Sequence, residues 1–279
     1  MEKKIIFKNE DVKNPPKIII SDIDGTLLNS HHQVSDRTKR IIQDISLKVP
    51  FVYASGRCPQ ALIEMHQILL KKAPLIALNG TLILDENFRP LAQVPLAPHY
   101  VASLLNEFKK LVPHGAVDFY TAKNWYTTNS DFPGQIAEEK IVGFMAKPMP
   151  LPYPIDEEAV LKIIIIAGSH EISEIYDYLT EVYPYLTILI SRDDMIEIYD
   201  PGASKGKALL HLLELYKLKP KDALAIGDSP LDYSLLEVAE KKAAMANSYD
   251  DLLALANIHL PNNDEDGAAL LLEYYDKQM

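Results

Sequence analysis

Continuous apolar runs alternate with amphipathic stretches in the first part of the chain. The runs at residues 18–20, 50–54 and 75–78 are short and apolar, which is typical of strands buried on both faces of a sheet. Between them, apolar residues recur at helical spacing, as at Ile41, Ile42 and Ile45, and Pro59 stands where a helix favours it, in the first turn. This β-α-β-α-β order predicts an α/β fold with a doubly wound, mostly parallel, Rossmann-like sheet.

The pattern changes between residues 85 and 199. Shorter strand patterns at 117–120, 125–128, 141–144, 161–167, 186–190 and 195–199 mix with helical patterns at 99–111 and 171–182. The alternation of apolar runs and amphipathic stretches returns from residue 200, with an apolar run at 223–226. We therefore expect a discontinuous core, residues 17–84 and 200–279, with an α+β domain inserted at 85–199. Residues 1–16 are lysine-rich and end in two prolines, so we expect an N-terminal extension without regular structure.

Composition narrows the class of partner. The net charge of −11 argues against nucleic acid and anionic membranes as partners. The single cysteine, Cys58, excludes an internal disulfide and a thiolate metal cluster. No apolar run approaches the ~20 residues of a membrane span, and the N-terminus has no signal-peptide core. We expect a soluble, cytoplasmic protein with a small-molecule partner; the oligomeric state stays open.

Two carboxylates follow the first apolar run directly. Asp22 and Asp24 are two residues apart on an extended segment, so their side chains point to the same side. They lie at the carboxyl end of a predicted strand, where open α/β sheets bind ligands. Gly25 lets the backbone turn away, and Thr26 can bond to the loop that it closes. The pair suits a metal ion, or a nucleophile with its acid/base partner; a solvated turn is the alternative.

Further polar residues flank other predicted elements at the same edge of the sheet: Ser55 and Gly56, Lys205, Asp228 and Asp232. Carboxylates that converge repel each other unless a cation lies between them, and oxygen ligands favour Mg²⁺. The Ser55 hydroxyl, neighbouring backbone N–H groups and the Lys205 ammonium suit phosphate oxygens. Together these residues indicate Mg²⁺-assisted phosphoryl transfer through an aspartyl-phosphate.

Several smaller signals leave alternatives open. Asp232 is either a metal ligand or a carboxylate behind the ligands, Arg57 either contacts substrate or pairs with acids of the core, and Asn79 either lines the site or forms an ordinary turn. Residues 262–267 with Glu273 nearly match the spacing of a calcium loop, but the first position is Asn and no clear helix precedes it. A polar loop in which Asp266 caps the last helix is the favoured interpretation.

Four segments resemble, in the correct order, the signatures of haloacid dehalogenase superfamily phosphatases: residues 22–27 (DIDGTL), 54–57 (ASGR), 204–206 (SKG) and 227–232 (GDSPLD). The insert lies between the second and third signatures, which resembles the large cap of the Cof-type hydrolases. Residues 79–80, 244–247 and 263–267 also resemble that subfamily. The resemblance covers residues 17–279.

This resemblance implies a role for each matching residue. Asp22 would be the nucleophile and Asp24 the general acid/base, while Ser55 and Lys205 would bind the transferring phosphoryl group. Mg²⁺ would be held by the Asp22 carboxylate, the Asp24 backbone carbonyl and Asp228. The cap would close over the core and supply specificity, and phosphosugars are the most expected class of phosphorylated metabolite.

One position departs from the family pattern. The fourth signature usually has Asn before its second Asp, where this chain has Leu231. Leucine cannot donate a hydrogen bond to a phosphate oxygen, so activity is expected to be weak or restricted. The departure motivates an alternative, a phosphate- or nucleotide-sensing protein without turnover. A receiver-type signalling domain is a further alternative, but it needs neither the acid at Asp24 nor the long insert.

Overall fold

The computed structural model describes residues 4–69, 73–154 and 157–279, with the backbone alone for residues 66–69. In chain order the strands are β1 (Ile6–Phe7), β2 (Ile18–Ser21), β3 (Phe51–Ala54), β4 (Leu75–Ala77), β5 (Leu82–Leu84), β6 (Pro90–Gln93), β7 (Ala116–Tyr120), β8 (Trp125–Thr127), β9 (Lys147–Pro148), β10 (Lys162–Ile166), β11 (Thr187–Arg192), β12 (Met195–Tyr199), β13 (Ala223–Gly227), β14 (Lys241–Met245) and β15 (Ile258–Leu260).

The α-helices are α1 (Asp36–Ile45), α2 (Pro59–Leu69), α3 (Pro98–Leu111), α4 (Pro133–Val142), α5 (Ser169–Val182), α6 (Lys205–Leu215), α7 (Tyr233–Val238), α8 (Asp250–Leu255) and α9 (Gly267–Asp276). Ser35 caps α1, since its side chain accepts a hydrogen bond from the Thr38 N–H. None of the helices within the described ranges is long and apolar enough to cross a membrane.

A nine-stranded sheet has the order β1-β15-β14-β13-β2-β3-β4-β5-β6. The six strands from β15 to β4 are parallel to their neighbours, and β1 and β5 pair antiparallel at either side of them. Every residue of β2, β3 and β13 is buried, because helices cover both faces of such a sheet. The predicted doubly wound, mostly parallel sheet is therefore confirmed.

The N-terminal residues contain regular structure, so the expectation of an irregular extension is wrong for the described part of residues 1–16. Ile6 and Phe7 pair with His259 and Ile258 of β15, and a 3₁₀ turn follows at Asp11–Lys13. Val12 is buried, and its carbonyl accepts a hydrogen bond from the Tyr275 hydroxyl. A short apolar pair is enough to extend an existing sheet by one edge strand. Residues 1–3 lie outside the described residues.

Contacts within the chain divide it into two compact units. Unit 1 consists of Met1–Gly56, Glu64–Leu91 and Ser204–Met279, and unit 2 consists of Arg57–Ile63 and Ala92–Ala203. Unit 2 contains a six-stranded sheet in the order β11-β12-β10-β7-β8-β9. One face of that sheet packs apolar residues such as Val117, Phe119 and Ile163 against others from α3 and α5. Val117 and Phe119 are two residues apart on β7, as are Ile163 and Ile165 on β10, so each pair faces the side of the sheet that the helices cover.

One predicted strand of the insert is a helix instead. Residues 141–144 were expected to be extended, but α4 ends at Val142 and Gly143 follows it with a φ of 79°. Pro133 begins this helix and Gly143 ends it, which is the usual asymmetry of helix boundaries. These two boundary residues indicate a helix in the sequence, and they are better evidence than the short apolar run at its end, which suggested a strand.

Candidate active site

Two adjacent parallel strands of unit 1 place Asp22 and Asp228 side by side. Asp22 follows β2, Asp228 follows β13, and Ser21 lies opposite Ile226 in their register. The Asp22 N–H donates to the Ile226 carbonyl at 2.9 Å, so the ladder continues to the residue that would be the nucleophile. Both carboxylates therefore lie at the carboxyl edge of the sheet, as the sequence predicts.

Lys205 lies within this acidic group. It is the first residue of α6, whose N-cap Ser204 accepts a hydrogen bond from the Lys207 N–H. The Lys205 Nζ atom donates to Asp22 Oδ1 and to Asp232 Oδ1, at 2.6 Å in each case. Burial by itself would lower the pKa of Lys205, but the two carboxylates outweigh it and raise that pKa above its usual value. The lysine is thus a fixed positive charge between two buried acids.

Asp232 holds both Lys205 and the loop that follows β13. Its Oδ2 atom accepts hydrogen bonds from the Asp228 N–H at 3.1 Å and from the Ser229 N–H and Oγ at 3.0 Å. Its Oδ1 atom accepts from Lys205, and the side chain is fully buried. Of the two interpretations left open by the sequence, these bonds favour a carboxylate that orients Lys205 and the Asp228 backbone.

The loop after β2 approaches Asp228 closely. Thr26 Oγ1 donates to Asp228 Oδ1 at 2.7 Å. Gly25 has a φ of 77°, and a Cβ atom at this position would overlap the Asp228 carboxylate. Glycine is therefore required at position 25 for two reasons: the backbone has a positive φ, and Asp228 occupies the space that a side chain would need.

The electrostatics of the acidic group favour a bound cation. Burial, followed by the Asp232 charge, raises the pKa of Asp22 well above its usual value despite the opposing effect of Lys205. Burial likewise raises the pKa of Asp228 to about 7, although the hydrogen bond from Thr26 opposes the shift. Ligand oxygens of Asp22, Asp228 and Asp232 lie within 4.8 Å of one another. Such clustered carboxylate oxygens fit a hard divalent cation, which would allow Asp22 and Asp228 to ionise together.

A second polar group in unit 1 consists of Ser55 and Gly56, which follow β3, and Asn79, which follows β4. Ser55 is buried; its N–H donates to the Ile76 carbonyl at 2.9 Å, and its carbonyl accepts from the Asn79 N–H at 3.0 Å. A Cβ atom at Gly56 would come within 2.8 Å of Asn79 Oδ1. Because β3 is the neighbour of β2, this group lies at the same edge of the sheet as Asp22.

The two remaining predicted residues differ in their surroundings. The Asp24 side chain is 43% exposed, and its Oδ1 atom lies 4.0 Å from His32 Nδ1. This exposure gives the Asp24 carboxylate a contact with solvent that the buried Asp22 carboxylate lacks. Arg57 belongs to unit 2, whereas the other predicted site residues belong to unit 1.

The loop that nearly matches a calcium site uses its acids for other contacts. Asp264 Oδ1 accepts from the Ser30 N–H at 2.7 Å, and Asp266 Oδ1 accepts from Thr38 Oγ1 at 3.2 Å. Among the described residues, the group of acids close enough to share a metal ion is that of Asp22, and it includes none from this loop. Asp266 occupies the N-cap position of α9, as predicted, but its side chain makes no capping hydrogen bond.

Two asparagines contact the loop after β2; both lie in segments that resemble the Cof-type subfamily, 244–247 and 263–267, but sequence reasoning assigned neither a role. The Asn247 Nδ2 atom donates to the Gly25 carbonyl, and the Asn263 Nδ2 atom donates to the Leu28 carbonyl, at 2.8 Å in both cases. Asn247 follows β14 and Asn263 follows β15. Their position after parallel strands of the same sheet was the available signal, since the carboxyl ends of all these strands meet at one edge.

Comparison with known proteins places the chain in a family. The model of haloacid dehalogenase-like hydrolases matches residues 19–272. A protein of Haemophilus influenzae is 32% identical over 261 residues, which cover 92% of this chain and 97% of that protein. The 5-amino-6-(5-phospho-D-ribitylamino)uracil phosphatase YwtE of Bacillus subtilis is 26% identical over 283 residues, with coverage of 92% and 97%.

Solved structures agree on the fold. TM0651 from Thermotoga maritima aligns with a TM-score of 0.85 at 23% identity, over 92% of this chain and 97% of that one. A haloacid dehalogenase-like hydrolase from Bacteroides thetaiotaomicron aligns with a TM-score of 0.83 at 23% identity, over 92% and 98%. The family match spans all four signatures and the insert between them. The chain belongs to the haloacid dehalogenase-like hydrolases and is a phosphatase of their Cof type.

Proposed function

We propose that this phosphatase requires Mg²⁺ and hydrolyses phosphate monoesters of small metabolites, phosphosugars above all, through an aspartyl-phosphate. The observation that carries the proposal is the contact of the Lys205 ammonium with Asp22, beside Asp228. A buried carboxylate attacks an anionic phosphate readily only where positive charge offsets both partners. Lys205 supplies part of that charge, and a divalent cation at the acidic group would supply the rest.

Each proposed residue has a defined part in the reaction. A carboxylate oxygen of Asp22 attacks phosphorus, and the bond from phosphorus to the leaving oxygen breaks while Asp24 protonates that oxygen. Asp24 then removes a proton from water, whose oxygen attacks the same phosphorus and frees Asp22. Lys205 and Ser55 hold the phosphoryl oxygens. The Asp22 and Asp228 carboxylates and the Asp24 carbonyl would hold Mg²⁺, whose charge would offset that of the phosphoryl group.

The names of two relatives support the wider class of small phosphorylated metabolites, and not phosphosugars in particular. YwtE acts on a phosphorylated ribitylamino compound, and a relative from Cronobacter sakazakii, 29% identical over 245 residues, is an HMP-PP phosphatase. Both act on small phosphorylated molecules. The net charge of −11 continues to argue against nucleic acid and anionic membranes, and we infer a cytoplasmic enzyme.

Turnover of a panel of phosphorylated metabolites tests this function. We expect release of phosphate from at least one phosphosugar, its loss in EDTA and its return with excess Mg²⁺. Asp228→Asn should lose this activity. Asp222→Asn is its control, because Asp222 precedes β13 while Asp228 follows it, and Asp222 pairs with Lys17. Activity that persists in EDTA contradicts the metal requirement, and activity confined to other phosphoesters contradicts the substrate class.

The raised pKa of Asp228 predicts how pH affects stabilisation by Mg²⁺. The pKa of Asp228 is about 7 in the folded protein against 3.8 in the unfolded chain. Its contribution to the stability of the fold is therefore fully present below pH 3.8 and is lost as pH rises through about 7. Mg²⁺ competes with the proton, so the shift in melting temperature that it causes should be larger at about pH 8 than at about pH 6. Differential scanning fluorimetry measures both shifts, and equal shifts contradict the prediction. Asp228→Asn, the control, should reduce the pH dependence and leave the part due to Asp22, whose pKa is also raised.

A second candidate function follows from Leu231. Leu231 lies in the 3₁₀ turn Pro230–Asp232, directly before the aspartate that orients Lys205. An apolar side chain where the resemblance implies an amide favours a protein that binds a phosphorylated ligand without turnover. Phosphate release by the wild type no faster than by Asp22→Asn, together with saturable binding of a panel member in calorimetry, would support this alternative.

A further inference from the structure

We propose that Asn247 is a positioning residue that orients the catalytic loop, defined here as residues 22–30. The inference rests on the proposed function, since it concerns the loop that contains Asp22 and Asp24. None of the four signatures includes Asn247; it lies in residues 244–247, which resemble the Cof-type subfamily without implying a role for this side chain. Its assignment comes from hydrogen bonds between residues more than two hundred positions apart in the chain.

The Asn247 side chain joins two loops of unit 1 through both of its polar atoms. Its Nδ2 atom donates to the Gly25 carbonyl at 2.8 Å. Its Oδ1 atom accepts from the Asn263 N–H at 3.1 Å. Donor and acceptor are both used in one orientation of the amide, so this exposed side chain bridges the two loops.

Neighbouring residues tie the same loop at two further points. The Asn263 Nδ2 atom donates to the Leu28 carbonyl at 2.8 Å, and Asp264 Oδ1 accepts from the Ser30 N–H at 2.7 Å. Asn247 in turn fixes Asn263 through the backbone of that residue. Three backbone groups of the catalytic loop are thus held by side chains that follow β14 and β15. Asn247 is the member that links the two anchoring segments.

The bond to Gly25 matters because of where its peptide lies. The Gly25 carbonyl belongs to the peptide that leads into Thr26, and Thr26 donates to Asp228 at 2.7 Å. On the other side, Gly25 follows Asp24, and its φ of 77° sets the direction of the chain between them. Restraining this one peptide therefore restrains Thr26, which contacts Asp228, and the backbone that follows Asp24. Displacements of about 1 Å at such points cost about 10²-fold in rate.

The chain offers a matched control in Asn257. Its Nδ2 atom donates to the Glu240 carbonyl at 2.8 Å, and its Oδ1 atom accepts from the Lys242 N–H at 2.9 Å. Like Asn247, it uses both amide atoms to contact two backbone groups. It lies directly before β15, and its partners lie at the start of β14, away from the catalytic loop. A purely structural role predicts equal consequences for Asn247→Ala and Asn257→Ala, whereas a positioning role predicts different ones.

The test combines backbone exchange with turnover in the full-length protein. Hydrogen–deuterium exchange by mass spectrometry should be faster for residues 22–30 in Asn247→Ala, and unchanged there in Asn257→Ala. We expect kcat to fall at least about 10-fold in Asn247→Ala with little change in KM, and to stay within about 2-fold in Asn257→Ala. Asn247→Asp keeps the acceptor for Asn263 but not the donor to Gly25, so its kcat should fall as far as that of Asn247→Ala.

Two results overturn the inference: unchanged exchange across residues 22–30 in Asn247→Ala, or faster exchange with kcat retained. A wild-type protein that hydrolyses no panel member in Mg²⁺ refutes the proposed function instead. Exchange then still shows whether Asn247 orders the loop, so the two failures are distinguishable.

Discussion

Asp22→Asn is expected to reduce kcat by at least about 10³-fold while the protein stays folded. The amide of Asn is not a nucleophile, so the aspartyl-phosphate cannot form. The structure also predicts that the fold tolerates the change. Lys205 keeps its bond to Asp232 at 2.6 Å, and the repulsion that Asp228 and Asp232 exert on a charged Asp22 disappears. Initial rates at saturating substrate measure the loss, and circular dichroism with thermal melting measures the fold.

Asp222→Asn again provides the comparison, because it also removes a carboxylate next to β13 while leaving the acidic group intact. We expect its kcat to stay within about 2-fold of the wild type. Acid-quenched mass spectrometry adds a direct readout: a transient phosphate on the peptide containing residue 22 in the wild type, and none in Asp22→Asn. Turnover by Asp22→Asn close to that of the wild type would remove Asp22 from the role of nucleophile.

The sheet of unit 1 was predictable from sequence because its strands have an unusually clear pattern. Residues 18–21 and 223–227 are buried on both faces, so they read as continuous apolar runs that end in carboxylates. The edge strand β1 was not predictable in this way. Two apolar residues become a strand only because β15 presents an unpaired edge, and pairing across the full length of the chain is invisible in a local pattern.

The residues of the site were easier to predict than their contacts. Asp22, Lys205 and Asp228 were expected together because each flanks an element that ends at the same sheet edge. That Asp232 would bond Lys205 and two backbone N–H groups could not be derived, since it depends on the tight turn at residues 230–232. The contribution of Asn247 depends likewise on backbone carbonyls, which every residue possesses and no pattern distinguishes.

Lys205→Met is expected to lower both stability and turnover, and the two effects have separable causes. Methionine keeps the length of the side chain but leaves two carboxylates in a buried site without their cation. Breaking one side of a buried ion pair costs about 3–5 kcal/mol of the free energy of unfolding, and loss of a charge that stabilises the transition state costs about 10²-fold or more in kcat. Lys207→Met, on the same helix but at an exposed position, is the control and should change neither.

The sign of the pH dependence identifies the cause of the instability. Without Lys205 the folded pKa of Asp22 rises further above its unfolded value, because the lysine opposes the shift that burial causes. Stability that depends on protonated Asp22 is present below the unfolded pKa and is lost as pH rises through the folded one, so the deficit of Lys205→Met should widen from about pH 5 to about pH 8. Asp22→Asn combined with Lys205→Met should recover part of the lost stability, because one of the two uncompensated charges is gone. Urea unfolding of the wild type, Asp22→Asn, Lys205→Met and the double variant at both pH values measures the free energy of unfolding of each. A double variant no more stable than Lys205→Met, with a deficit independent of pH, would mean that Lys205 contributes through packing and not by neutralising Asp22.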